Sequence, residues 1–455
     1  MKKLIKFYNT LLILAVTIFF QSCTKTVDLI AHNGNIYTVD ENFSKASAFA
    51  VENGKFIDVG SDDILSKYKS ENIINLNGST VLPGLIDAHC HFYGLGLNQS
   101  VIDLTGTKSF SEIIDKISND DKKSVIRGRG WDQNDWTIKK FPDKFKLDLL
   151  YPETPIILER IDGHAYLVNQ KALDVAKIDV NTKSKNGTVV IENGKLTGVL
   201  IDGPMSLIDK AFGNISNQEK IDALLSAQDI CCKHGLTTVD DAGLSKEVIL
   251  LIDSLQRKNK LKMRVYAMIS NSIEDVNYFL DKGPIKTSLL NVRSVKVYGD
   301  GALGSRGATL KEPYSDDKHN YGKLVTDIQS VKELAKRLSD ENFQMNTHAI
   351  GDSTINILLN EYSKVLENKK DPRWRIEHSQ IVDLNDINGY SKKILPSVQP
   401  THATSDMYWA EDRVGPKRIK GAYAYKDLLK RSKVIGLGTD FPVEKVNPFH
   451  TFYAA

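Results

Sequence analysis

Leu82-Pro83-Gly84-Leu85-Ile86-Asp87-Ala88-His89-Cys90-His91 is the stretch on which the reading of this chain turns. An apolar run opens after Pro-Gly and finishes in Asp87, His89 and His91, the pattern of a short strand with its polar residues at the C-terminal end. Residues i and i+2 of an extended chain project to the same side, so the imidazoles of His89 and His91 can reach one metal ion. Cys90 then faces the other way, where packing is expected rather than coordination. An H-x-H pair by itself also describes two unrelated surface or core histidines, so its meaning depends on what the rest of the chain places beside it.

Working outward, the strand Leu85–His89 is followed by seven more short strands that end in polar or charged residues. These are Leu236–Asp240, Arg264–Ile269, Ser294–Tyr298, Gln344–His348, Arg375–His378, Pro396–Gln399 and Val434–Thr439. Amphipathic helices lie between most of them. The clearest starts at Ser216, with Glu219 three residues on as a capping box, and stops at Gly235. Others are expected over residues 328–341 and 353–367. Eightfold strand–helix alternation predicts an α/β fold, a (β/α)8 TIM-type barrel. A doubly wound open sheet alternates too; the strand-end residues favour the barrel, because closure gathers them in one mouth.

His89, His91, His348, His378 and Asp440 all stand in that strand-end register. Neutral imidazoles with one carboxylate are a ligand set for zinc or a related divalent ion. Lys296 sits inside the apolar run Val295-Lys296-Val297-Tyr298. A buried ammonium is costly unless paired or neutralised. Either its head escapes to solvent along the strand, or burial lowers its pKa and the amine takes up CO2, giving a carbamate able to bridge two metal ions.

Three further segments organise the chain. Residues 1–23 read as an export signal: Lys2, Lys3 and Lys6 precede the apolar run Leu11 to Phe20, and Ser22 precedes Cys23. That run is short for a bilayer span, which takes about 20 residues. Cys23 at its end resembles a bacterial lipoprotein signal, with Phe20 and Gln21 in place of the usual aliphatic and small residues. The expectation is a cell-envelope protein, lipid-anchored on the extracytoplasmic side, with a secreted or periplasmic protein as the alternative. Residues 26–80 read as the N-terminal part of a small β-sandwich subdomain, with hairpin signals at Asn33-Gly34, Asn53-Gly54 and Asn77-Gly78. Residues 81–455 hold the barrel, interrupted at about 97–215 by an insertion with its own strands (124–129 and 155–160) and a hairpin through Asn193-Gly194. Trp131 and Trp136 either wall the pocket or pack the insertion.

Composition supports a globular protein and little else. The 455 residues are 41% hydrophobic and 26% charged, and 60 Lys+Arg against 57 Asp+Glu leave a formal charge of +3. This excludes a disordered, collagen-like or polytopic membrane chain, and gives no electrostatic reason to expect nucleic acid. Four cysteines cannot build a disulfide framework. Cys231 and Cys232 fall on the helix stripe of Ile221, Leu224 and Leu225, so buried structural thiols are expected.

The ordered set His89-x-His91, Lys296, His348, His378 and Asp440 resembles the amidohydrolase superfamily. More narrowly it is similar to amidohydrolase family 3, the YtcJ-like group that includes N-substituted formamide deformylase. The resemblance is carried by Leu82 to His89; Asp162-Gly163-His164-Ala165; Lys296 to Ser305; Thr347-His348-Ala349-Ile350-Gly351-Asp352; Arg375-Ile376-Glu377-His378; and Gly438-Thr439-Asp440-Phe441-Pro442. It implies hydrolysis of a non-peptide C–N amide bond in a small molecule by activated water, with one or two Zn2+ or another divalent metal. His89 and His91 would hold the first metal, N-carboxylated Lys296 would bridge, and His348 and His378 would serve the second. Asp440 would bind metal and act as the catalytic proton acceptor.

By the same resemblance Arg306, in the glycine-rich run 299–307, lies near substrate, and His164 either touches substrate or is structural. His402, after the seventh strand, falls beside the ligands. The run 299–307 lacks the Gly-Lys-Ser/Thr ending of a phosphate loop. Relatives continue past the eighth strand with a final helix and strands that complete the small sheet unit, so a partial chain is expected here, the sandwich lacking its C-terminal strands. The alternative function is a non-catalytic, metal-binding envelope lipoprotein.

Overall fold

A computed structural model describes residues 24–118, 124–184, 186–213 and 215–455. The export and lipidation signal expected at 1–23 lies outside these residues. The chain divides into two compact units, up to Leu85 and from Ile86 onward. Among the described residues no helix is long and apolar enough to cross a membrane.

The first unit contains a parallel pair, Lys25–Thr26 with Tyr68–Lys69, and two larger sheets. One orders its strands Lys55–Gly60, Ala48–Glu52, Leu29–His32 and Ile73–Asn75, the other Lys45–Ala46, Asn35–Tyr37 and Thr80–Val81. Its core is Val27, Ile30, Ala48, Ala50 and Ile64. Asn53-Gly54 closes the expected hairpin, pairing Glu52 with Lys55 through two left-handed residues. Asn33-Gly34 and Asn77-Gly78 do not. Each carries the chain from the four-stranded sheet into the three-stranded one, where Ile30 pairs with Ile73 and Ile36 with Val81 in parallel. The left-handed conformation that Asn favours serves a corner as well as a hairpin, and partner choice is made by strands distant in sequence.

The second unit is a nearly closed parallel barrel. Its strands run in order Leu85–Cys90, Leu236–Leu244, Arg264–Ser270, Leu290–Tyr298, Gln344–Ala349, Trp374–His378, Ile394–Val398 and Gly436–Leu437. From the second to the eighth each neighbouring pair is parallel. The helix read from its capping box spans Asn217–Lys233; Ser216 accepts from the Glu219 amide and Glu219 returns the bond. Helices at Ile328–Asp340 and Asp352–Val365 match the expected spans within two residues. Cys90 and Cys231 are buried, but Cys232 is exposed. It stands one position beyond the buried stripe of Ala223, Leu224, Ala227 and Cys231.

The insertion forms a sheet of its own, ordered Ile102–Asp103, Ile126–Trp131, Ile156–Arg160, Ala165–Val168, Lys195–Asp202 and Gly187–Glu192. Asn193-Gly194 closes the last hairpin, pairing Glu192 with Lys195. Trp131 and Trp136 are buried in its core with Leu104, Ile126, Ile156 and Leu158, so they pack the insertion.

The eighth strand is shorter than expected because the chain leaves the ladder after Leu437. Gly438 donates to Val398, the Asp440 amide to the His89 carbonyl at 2.8 Å, and the His91 amide to the Phe441 carbonyl at 2.8 Å. Asp87 takes the Thr439 amide at 3.0 Å and the Thr439 hydroxyl at 2.7 Å. These bonds join the last barrel strand to the first. A Cβ on Gly438 would sit 2.5 Å from the His89 nitrogen and 2.7 Å from its oxygen. Gly438→Ala should therefore cost about 1–3 kcal/mol, the usual penalty of overpacking. Denaturant unfolding measures this, and an unchanged midpoint would contradict the close approach.

Candidate metal centre

Strand register sets the side chains. Tyr298 pairs with His348, and Ala349 with His378, so the fourth, fifth and sixth strands end at one level. The backbone turns at His378 (φ 70°) and Asp440 (φ 60°), left-handed conformations uncommon outside glycine. His89, Lys296, His348, His378 and Asp440 are all buried, with Lys296 only 1% exposed. His91 is partly open, its side chain 30% exposed. Lys296 therefore does not reach solvent along the strand.

His89, His378 and Asp440 form the tight group: their ligand atoms lie within 4.8 Å of one another. His91 Nε2 stands 3.2 Å from Asp440 Oδ1. Lys296 Nζ is 3.4 Å from His89 Nε2. His348 stands one step out, its ring centroid 4.5 Å from that of His378 and its Nε2 3.4 Å from the Gly301 carbonyl. Asp440 Oδ1 and His378 Nδ1 are buried without hydrogen-bond partners among the described residues. Such orphaned acceptors beside neutral imidazoles fit a divalent cation.

The electrostatics favour that use. Burial drives His89 down to about 4, helped by the Lys296 charge, although Glu377 pulls the other way. Burial likewise holds His348 and His378 well below their ordinary value. These imidazoles are unprotonated at neutral pH, as metal ligands must be. Burial raises the Asp440 carboxyl, but the imidazoles of His402 and His91 outweigh it and hold it well below the usual range. Burial also brings Lys296 down to about 8, against the pull of Glu377 and Asp440, so a share of its amine is neutral.

Residues without an assigned role in the sequence reading hold this group in place. Glu377 accepts from His89 Nδ1 at 2.5 Å, which presents Nε2 to the cavity. Arg375 donates to Glu377 at 2.6 Å, to Asp240 at 2.7 Å and to the Ala88 carbonyl at 2.8 Å, tying three strands together. Asp300 accepts from the amides of Ile350 and Gly351 at 3.0 and 2.9 Å and fixes the loop after His348. Periodicity could not reveal these roles, although Glu377 and Arg375 stand in the quoted motif. His402 sits beside the ligands: Nε2 is 3.3 Å from Asp440 Oδ2 and Nδ1 3.3 Å from Glu444.

The centre opens into a cavity of about 1050 Å3 lined by barrel-mouth loops and by the insertion. His164 lines it, bonded through Nδ1 to Asp202 at 2.6 Å, with its ring 5.0 Å from that of His348. Arg306 is not among the lining residues. Its guanidinium pairs with Asp316 at 2.9 Å.

Residues 72–455 match the amidohydrolase family. The chain belongs to that family. YtcJ of Bacillus subtilis is 32% identical over 434 residues, covering 92% of this chain and 82% of that protein. N-substituted formamide deformylase of Arthrobacter pascens is 24% identical over 382 residues, covering 79% of this chain and 70% of that protein. A solved structure described as an uncharacterized metal-dependent hydrolase from Pyrococcus horikoshii superposes with a TM-score of 0.73 at 28% identity, over 94% of this chain and 85% of that one. In this amidohydrolase the buried Arg375–Glu377–His89 chain should matter for metal affinity. Glu377→Gln is expected to weaken binding of a divalent metal by roughly 10–100-fold, as is usual when the partner of a ligating histidine is lost. Competition with a chromogenic chelator reads this directly; an unchanged affinity would remove Glu377 from the site.

Proposed function

We propose that this chain hydrolyses the C–N bond of a small, non-peptide amide of the N-substituted amide or formamide type. The observation that carries the reading is the convergence of His89, His378 and Asp440 at the base of the cavity, with His91, Lys296 and His348 around them. The similarity to a formamide deformylase supports the bond type. Zinc is the proposed metal, one ion or two, because the donors are imidazole and carboxylate. Its contribution when bound is that of a Lewis acid, polarising a carbonyl and acidifying water.

The protein's own groups do the rest. His402 stands 3.3 Å from Asp440 Oδ2 and orients the carboxylate with Oδ1 toward the imidazoles, and Asp440 takes the proton of the attacking water and returns it to the departing nitrogen. Lys296, as the neutral amine, adds to CO2; an N–C bond forms, one proton is released, and the carbamate offers two anionic oxygens to metal. Lipid attachment at Cys23 would place the enzyme on the extracytoplasmic side of the cell envelope, a reading supported by Lys2, Lys3, Lys6 and the run Leu11 to Phe20.

Asp440→Asn should lower kcat on zinc-loaded protein by about 10²–10⁴, the usual range for a lost general base, with folding retained. Steady-state assays on a panel of formamides, amides and cyclic imides test it. Full activity in the variant, or no turnover by the unmodified chain across the panel, would overturn the reading. Zinc reconstitution without CO2 should give lower activity, restored by bicarbonate; equal activity would argue for unmodified Lys296.

A further inference from the structure

We infer that the cavity above the metal centre prefers amides whose nitrogen substituent carries a positive charge and disfavours those whose substituent is anionic. The inference deepens the hydrolase reading and rests on it for the chemistry, but its source is the charge of the walls.

Apart from the candidate metal ligands, eight carboxylates line the cavity, against five cationic or potentially cationic groups: Arg129, Arg160, Lys445 and the imidazoles of His164 and His402. The pairing is uneven. Arg160 is shared between Asp132 and Asp162. Asp202 is matched by His164, Glu159 by Arg129 at 3.2 Å, and Glu444 by His402. Asp209 accepts from the Tyr166 hydroxyl at 2.9 Å and feels the Arg127 charge from outside the lining, Asp406 accepts from the Tyr423 hydroxyl at 2.7 Å, and Asp135 has no ion-pair partner among the described residues. Among the described lining residues three carboxylates thus remain in excess even when both imidazoles are counted as cations.

Most of this charge comes from the insertion. Asp132, Glu159 and Asp202 stand at or just beyond the ends of its strands, and Asp209 lies on the helix Met205–Phe212. The substituent of an amide held at the metal therefore extends toward these walls. A recessed surface of one sign focuses the field on a ligand inside it. Leu97, Leu303, Val325 and Trp409 also line the space and give contact area to an alkylated ammonium group. A positive charge there takes the place of the cations the walls lack, whereas an anion meets carboxylates already in excess.

The test uses the zinc-loaded chain and three N-propylformamides that differ only at the far carbon: trimethylammonium, its neutral tert-butyl isostere, or sulfonate. Sulfonate replaces carboxylate because a carboxylate would ligate the metal. The expected order of kcat/KM is cation, neutral, anion. A cation-to-anion ratio of about tenfold or more is expected at low salt, shrinking as ionic strength screens the walls. The Asp135→Asn, Asp209→Asn double variant should lower that ratio about threefold or more, since each exchange removes one negative charge from the walls.

Turnover of all three without charge preference, or a preference for the sulfonate, overturns this inference and leaves the hydrolase reading standing. If none is turned over, the hydrolase reading fails. The charge preference is then read by calorimetric binding of the same three probes, where equal affinity, or tighter binding of the sulfonate, overturns it as well.

Discussion

Asp87 joins the end of the barrel to its beginning. Its carboxylate accepts the amide and hydroxyl of Thr439 and the amide of His89, at 3.0, 2.7 and 3.2 Å. Of the two residues it links, Thr439 precedes the candidate metal ligand Asp440 and His89 is itself a candidate ligand. The eighth strand has only Gly436 and Leu437 in the ladder, so this bridge and two backbone bonds, Asp440 to His89 and His91 to Phe441, hold it against the first. The side chains that form the centre arrive from strands scattered along the whole unit, and this seam brings Asp440 to His89. Burial pushes Asp87 up to about 7 despite its hydrogen bonds, so the seam itself is built from a costly group.

The same cost recurs deeper in the mouth. Arg375, Glu377, Asp240 and Lys296 are charged groups enclosed among the strand ends, and a buried charge is tolerated only when paired and hydrogen-bonded. Arg375 satisfies this by reaching Glu377, Asp240 and the Ala88 carbonyl together. Glu377 in turn fixes which face His89 presents. The positive φ of His378 and Asp440 belongs with these costs, since strained backbone persists where its surroundings over-determine it.

Much of this was legible in the sequence because the relevant signals are local. Strand alternation, the capping box at Ser216 and the polar residues closing each strand are short-range patterns, and they located the barrel and its candidate ligands. What failed required partners far away. Asn33-Gly34 looks like Asn53-Gly54 until the strands that flank it are seen to enter different sheets. Arg306 lies in a run that resembles a substrate loop, yet Asp316 holds it elsewhere. Cys232 differs from Cys231 by one position on a helix, enough to move it from the buried stripe to solvent. The clamps on His89 and His164 escaped for the same reason: Glu377 and Asp202 are ordinary carboxylates until the fold brings them within 2.6 Å of an imidazole.

The insertion has its own sheet and its own core around Trp131, Leu158 and Leu167, yet its strand ends supply one wall of the cavity. The candidate metal ligands and the wall that faces them thereby belong to separately packed layers. Two threads tie the layers together: Asp202 holds His164 against His348, and Arg129 donates to the Pro442 carbonyl two residues beyond Asp440. A scaffold divided in this way can diversify what it accepts while conserving how it reacts.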